Sequence, residues 1–136
     1  MVMASLQGLP AFLLYFCVAS LAIAAYLFVY TRITAHDEFA LIAANIPGAA
    51  VALGLSVLGF ALPVASAIAH SADILDCAIW SLIALIVQVF VYYAARIPVP
   101  NLSKRIADGE LAPAIWLGLG SVTGGVISAA SMTYSP

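Results

Sequence analysis

The sequence predicts an all-α integral membrane protein whose four transmembrane helices form two parallel two-helix repeats. Three observations carry that expectation. Of 136 residues, 65% are hydrophobic and 7% are charged, whereas about a quarter of a soluble domain is charged. Four Lys and Arg with six Asp and Glu cannot clothe a water-facing surface, so the main solvent must be lipid. Apolar runs of about twenty residues, each able to cross a hydrocarbon core of roughly 30 Å, recur between short polar breaks. All four cationic side chains, Arg32, Arg96, Lys104 and Arg105, fall in the first and third of those breaks.

The first span covers about residues 10–30. Its ValAlaSer and AlaIleAla triplets imitate a signal cleavage site. No Lys or Arg precedes the run and Arg32 follows it, the reverse of a signal peptide's polarity, so a retained helix is expected. The break at Thr31–Ala44 holds Arg32, His36, Asp37 and Glu38. Thr34, three residues before Asp37, matches a capping box and predicts a short interfacial helix. The second span, about 45–70, is rich in Gly and Ala, with Asn45 and Pro47 suited to its first turn. Ala50 and Gly54 lie four apart, as do Gly48, Ala52 and Ser56, and with Gly59 beyond them they offer small residues for close helix contact. Pro63 removes a hydrogen bond to the Gly59 carbonyl and predicts a bend.

After a tight HisSerAlaAsp turn, the third span, about 74–95, is bulky, with Gln88 as its deep polar side chain. Pro98 and Pro100 stop it, and the following break has room for a short helix ending at Gly109. The fourth span, about 111–132, carries Gly120 and Gly124 as a GxxxG pair. The four-to-zero distribution of Lys and Arg places the first and third breaks in the cytoplasm. Both termini and the His70 turn then lie outside. Tyr26, Tyr30, Tyr92, Tyr93 and Trp116 fall near the inner interface, and Tyr15, Trp80 and Tyr134 near the outer one. A shift of about 65 residues aligns Ala49 with Ala114, Ser56 with Ser121 and Gly59 with Gly124, dividing the chain into repeats at 1–72 and 73–136. In that arrangement the second and fourth spans meet through small faces, and the first and third face lipid.

A family can be named from the order of several segments. These are TyrThrArgIleThrAlaHisAspGlu, GlyPheAlaLeuProValAlaSerAlaIleAlaHisSer, AspCysAlaIleTrp, AspGlyGluLeuAla and the closing SerAlaAlaSerMetThrTyr. The chain resembles the YjfL-like bacterial inner-membrane proteins, the domain of unknown function 350 family, over nearly its whole length. The His-Ser to Asp segment is the most specific part. The resemblance implies a multi-pass protein of the bacterial inner (plasma) membrane, with four helices in a doubled two-helix unit. It supplies no activity and no catalytic residue.

A net charge of −2 argues against nucleic acid as a partner. Cys17 and Cys77 make neither a zinc framework nor a disulfide scaffold. GlyLeuGlySerValThrGlyGly at 118–125 lacks the lysine of a phosphate loop and follows no strand. No nucleophile elbow or zinc-protease motif is present. No enzyme, cofactor or metal is therefore expected. The groups that remain are His70, Asp73 and Asp76 at the outer turn, with Gln88 deeper, which with Ser56, Ser121 and Thr123 could hydrogen-bond between helices or line a polar path. Two readings stay open for the turn: Asp73 and Asp76 cap the third helix, or they form with His70 the mouth of a proton or cation path. Expected partners are the lipid bilayer and further copies of the chain, since four helices enclose little. A cytoplasmic or envelope protein is a third candidate partner. The functional expectation is a homo-oligomeric channel or transporter subunit for protons or small cations. The alternative is a non-transporting scaffold or adaptor in the cell envelope.

Overall fold

The computed structural model describes residues 2–132. The chain runs through α1 (Val2–Leu6), α2 (Leu9–Ile33), α3 (Glu38–Ala43), α4 (Pro47–His70), α5 (Ile74–Arg96), α6 (Leu102–Ala107) and α7 (Leu111–Met132). Four stretches are long and apolar enough to cross a membrane: Val2–Ile33, α4, α5 and α7. They are the four expected spans, with ends displaced by a few residues. Tyr134 lies outside the described residues. The bundle has two unlike ends. One carries the short helices α3 and α6, and the other the tight turn between α4 and α5.

Small side chains decide the centre. The most extensive contact in the molecule joins α4 to α7, with α5 against both and α2 against α4 and α5. A Cβ added to Gly59 would sit 2.6 Å from the Ser121 carbonyl carbon, and one added to Gly125 would sit 2.7 Å from the Gly59 carbonyl carbon. Lipid supplies no hydrophobic force between helices, so such approach gains through van der Waals contact and Cα–H···O interactions. Pro63 sits buried inside α4, which continues unbroken to His70. The Gly59 carbonyl that loses the Pro63 amide is the one Gly125 approaches, and that contact partly replaces the missing donor.

The seam uses only part of the small-residue set expected. Gly54 and Gly120 have nothing within 4 Å of an added Cβ, and Ala50 is exposed. Gly124 turns to α5, where its Cβ would meet Val91 Cγ2 at 2.7 Å and Gln88 Oε1 at 3.0 Å. Of the expected small residues of α4, Gly48 and Gly59 lie against α7, and Ala52 and Ser56 are buried with them. Each residue turns a helix by about 100°, so Gly118, Ser121 and Gly125 form a different stripe from Gly120 and Gly124. Ser56 and Ser121 are 65 residues apart. The same offset takes buried Gly48, Ala49, Ala52, Leu53, Phe60 and Ala67 of α4 onto buried Pro113, Ala114, Leu117, Gly118, Gly125 and Met132 of α7.

The short helices also differ in detail from expectation. Asp37, not Thr34, caps α3, its carboxylate accepting from the Ala40 amide at 3.2 Å. Thr34 instead ends α2, and its hydroxyl donates to the Tyr30 carbonyl at 3.0 Å and to the Glu38 carboxylate. Capping by Asp37 starts the helix one turn later and leaves Thr34 free to face inward. Beyond α3 and α6 the chain turns through left-handed residues, Asn45 (φ 65) and Gly109 (φ 89), which lets the backbone double back into the next span. Pro47 opens α4, where a missing N–H is harmless. Leu102 and Ile106 of α6 are buried, fastening this helix beneath the bundle.

Candidate functional site

The turn between α4 and α5 is occupied by local hydrogen bonds. Asp73 is the N-cap of α5 and accepts from the Asp76 amide at 2.8 Å. Asp76 accepts from the Ala72 amide at 2.9 Å. The helix dipole favours negative charge at both places. His70 Nδ1 lies 3.0 Å from the Ser66 carbonyl of its own helix, and neither Asp bonds to it. Gln88 stands fifteen residues beyond Asp73, about 22 Å along α5. The structure therefore does not gather His70, Asp73, Asp76 and Gln88 into one cluster. Among the described residues, no three His, Cys, Asp or Glu side chains converge as metal ligands.

A denser polar assembly lies at the other end and runs inward. Glu38 is 1% exposed and His36 7%. His36 Nε2 is 3.5 Å from Glu38 Oε1, and neither ring nitrogen has a hydrogen-bond partner. Burial lowers the His36 pKa, while Glu38 and Asp37 oppose that shift. Tyr30 and Tyr92 lie within electrostatic reach of Glu38. The Tyr92 hydroxyl shares a 3.1 Å hydrogen bond with Ser103 of α6. That bond ties α5 to the short-helix end.

From there the polar groups continue toward mid-bundle. The Tyr30 hydroxyl lies beside Ser56 without completing a hydrogen bond. The Tyr26 hydroxyl neighbours both Ser56 and Ser121. Ser121 Oγ donates to the Ser56 carbonyl at 3.4 Å. Gln88 Nε2 donates to the Ser121 carbonyl at 3.0 Å and to its hydroxyl at 3.2 Å. Tyr30 OH, Ser56 Oγ and Gln88 Oε1 are buried without partners. A native interior leaves few polar atoms unsatisfied, and three of them fall in this one series. Ring packing holds the line in position: Tyr26 stacks on Phe60 at 4.7 Å, and Tyr30 meets Tyr92 edge-on at 5.9 Å. The next buried polar side chain on the same face of α5 is Ser81, whose hydroxyl is also unpartnered. It lies seven residues from Gln88, about 10 Å along the axis.

Thr123 and Ser131 satisfy themselves within α7, each bonding the carbonyl four residues back at 2.8 Å. The cationic residues all sit at the short-helix end. Arg32 covers Phe28 at 4.8 Å, and Arg96 lies over Tyr92 and Tyr93 at 5.8 and 5.6 Å. Arg105 pairs with Glu110 at 2.9 Å, which raises the pKa of this exposed guanidinium. Lys104 is exposed. Sequence reasoning found Gln88, Ser56 and Ser121 but missed Tyr26, Tyr30, Thr34, His36, Glu38 and Tyr92 as one assembly. A signal was present: Tyr26, Tyr30 and Thr34 are spaced four apart, on one helix face. The interfacial habit of tyrosine hid it.

Comparison with known proteins agrees with the membrane architecture. A family model described as Domain of Unknown Function (DUF350) matches residues 3–132. The chain is 34% identical over 129 residues to the UPF0719 inner membrane protein YjfL of Escherichia coli strain K12, covering 95% of this chain and 98% of that protein. The same values hold for YjfL of Escherichia coli O157:H7. No solved structure matches the chain.

Proposed function

The chain belongs to the DUF350 family, described as of unknown function, and from its interior we propose a multi-pass inner-membrane subunit that moves protons or small cations. The relatives' inner-membrane name and the four apolar spans support the location. The cationic residues at the short-helix end support a cytoplasmic position for that end, with both termini outside. One observation carries the transport reading: a buried polar series that starts at Glu38 and continues through Tyr30, Ser56 and Gln88, the last three each with an unpartnered polar atom. In this reading the line is an inner half-path. Apolar packing around Ala84 and Phe60 is the barrier, and Ser81 with the His70–Asp76 turn forms the outer side. The 65-residue correspondence of buried positions supports two parallel hairpin repeats about an axis along the membrane normal.

Self-association belongs to the same proposal. An apolar groove of about 560 Å³ on the outer face of α7, lined by Trp116, Leu119, Gly120 and Thr123 among others, suits a helix of a second copy. The test is flux into liposomes containing the pure protein, with a pH dye and with sodium or potassium dyes. Uptake that Gln88→Leu reduces at least tenfold supports the reading. A membrane as tight as protein-free lipid excludes it. The scaffold alternative has its own support, the full local hydrogen bonding of Asp73 and Asp76, and it is the reading that survives a tight membrane.

A further inference from the structure

We propose that the species carried is the proton and that Glu38 loads it at the short-helix end, an inference that rests on the transport reading above. Glu38 was not among the residues that sequence reasoning singled out for chemistry. Its carboxylate is 1% exposed, and the one charged-type neighbour within ion-pair distance is His36. Arg105 is engaged by Glu110, and Arg96 lies over Tyr92 and Tyr93. A metal cation at this carboxylate would need about six oxygen ligands around it. Among the described residues, the Glu38 carboxylate accepts one side-chain hydrogen bond, from Thr34, well short of such a shell. A proton needs no coordination shell and no cavity.

The groups facing Glu38 are set for hand-over. On its own segment these are His36 and Asp37, from α2 Tyr30 and Thr34, and from α5 Tyr92, on which Arg96 also acts. The titratable residue of α4, His70, is at its far end, and α6 contributes Ser103 through Tyr92. Tyr30 OH and both nitrogens of His36 are more than nine-tenths buried and unpartnered, so each can take a new partner without breaking an old bond. In the loading step a proton from cytoplasmic water forms an O–H bond with a Glu38 oxygen. In the transfer step that O–H bond breaks as the Tyr30 oxygen gains the proton and gives its own to Ser56, whose hydroxyl hydrogen passes in turn to a bridging water held on the Gln88 Oε1 side. Bridging water completes any gap longer than a hydrogen bond. Charge and proton number balance at every step, and no redox partner is needed.

The experiment uses the full chain in liposomes free of ionophore, with a proton, a sodium and a potassium gradient imposed in separate runs and the entry of each ion read. Four proteins are compared: wild type, Glu38→Gln, Glu38→Asp and Tyr30→Phe. Glu38→Gln keeps the oxygen that accepts from Thr34, and Tyr30→Phe keeps the ring packing, so at least one should fold as wild type does. The expected result is proton entry without sodium or potassium entry, cut at least tenfold in Glu38→Gln and Tyr30→Phe and partly kept in Glu38→Asp. Infrared difference spectra of the protein should show a carboxyl O–H band that shifts in heavy water and is absent from Glu38→Gln. Proton entry unchanged in Glu38→Gln overturns the assignment of Glu38 and leaves transport standing. Sodium or potassium entry overturns the proton as the species and also leaves transport standing. Liposomes tight to all three ions overturn the transport reading and this inference together.

Discussion

Replacing Gly125 with Ala should destabilise the protein, while the same change at Gly120 should not. The two glycines lie five residues apart on α7, and both would gain helix propensity of about 0.8–1 kcal/mol on becoming Ala. Their surroundings differ. At Gly120 an added Cβ meets nothing of its own chain within 4 Å, so in the dissociated single chain, the state the assay must use, the propensity gain stands unopposed. At Gly125 it would lie 2.7 Å from the Gly59 carbonyl carbon and 3.0 Å from its Cα, which are backbone atoms that cannot rotate away. Overpacking against an immobile wall costs typically about 1–3 kcal/mol, and a backbone neighbour puts this site in the upper part of that range. The net expectation is a loss of about 1–2 kcal/mol at Gly125 and a gain of up to about 1 kcal/mol at Gly120, a difference of about 2–3 kcal/mol. Reversible unfolding in mixed micelles, followed by circular dichroism against denaturing detergent, resolves such a gap. Gly54→Ala, with open space around it, should follow Gly120→Ala, and Gly59→Ala should follow Gly125→Ala. Combining Gly59→Ala with Gly125→Ala should cost less than the sum, because one separation of α4 from α7 relieves both clashes. Equal stability of Gly125→Ala and Gly120→Ala would refute the placement of the α4–α7 seam.

Three further outcomes follow from the same geometry. Asp73→Ala should cost about 0.5–2 kcal/mol of stability, and Asp73→Asn almost nothing, since the amide oxygen still accepts from the Asp76 amide; equal losses in thermal unfolding would exclude capping. Burial lowers the His36 pKa, so the unfolded chain binds its proton first as pH falls. The stability tied to His36 is thus complete above its unfolded value of about 6.5 and is lost as pH drops through the lower folded value. Melting temperature should fall from pH 7 toward pH 5 and do so less in His36→Gln, and identical slopes would contradict that origin. For orientation, Ala72→Cys and Asp108→Cys in a chain with Cys17 and Cys77 replaced should differ toward an impermeant thiol reagent. Ala72→Cys should react on intact cells and Asp108→Cys only after lysis, and the opposite pattern reverses the topology.

The sequence by itself determined the solvent, the number of spans and nearly all of their ends. These depend on local quantities: the length of each apolar run, the prolines that stop it, and Gly109 where the short helix of the third break ends; Asn45, expected in the first turn of the second span, instead turns left-handed before it. The cap at Asp73 was legible for the same reason, because an N-cap bonds an amide three residues on. Tertiary structure decided which face of each helix turns inward. In α7 the sequence offers one small stripe through Gly120 and Gly124 and another through Gly118, Ser121 and Gly125. Both satisfy the spacing rule, and the choice between them depends on what α4 and α5 present opposite. Gly59 fits against the Ser121 backbone and Gln88 bonds to Ser121, so the second stripe faces α4. Glu38 shows the same division. Its neighbours in the chain, Asp37 and Phe39, are exposed and so mark a wetted break. Only the packing of α2, α3 and α5 places its carboxylate among Thr34, His36, Tyr30 and Tyr92. Burial is a property of the assembled helices, and a residue 1% exposed is chemically different from the same residue in water because the surrounding dielectric has changed.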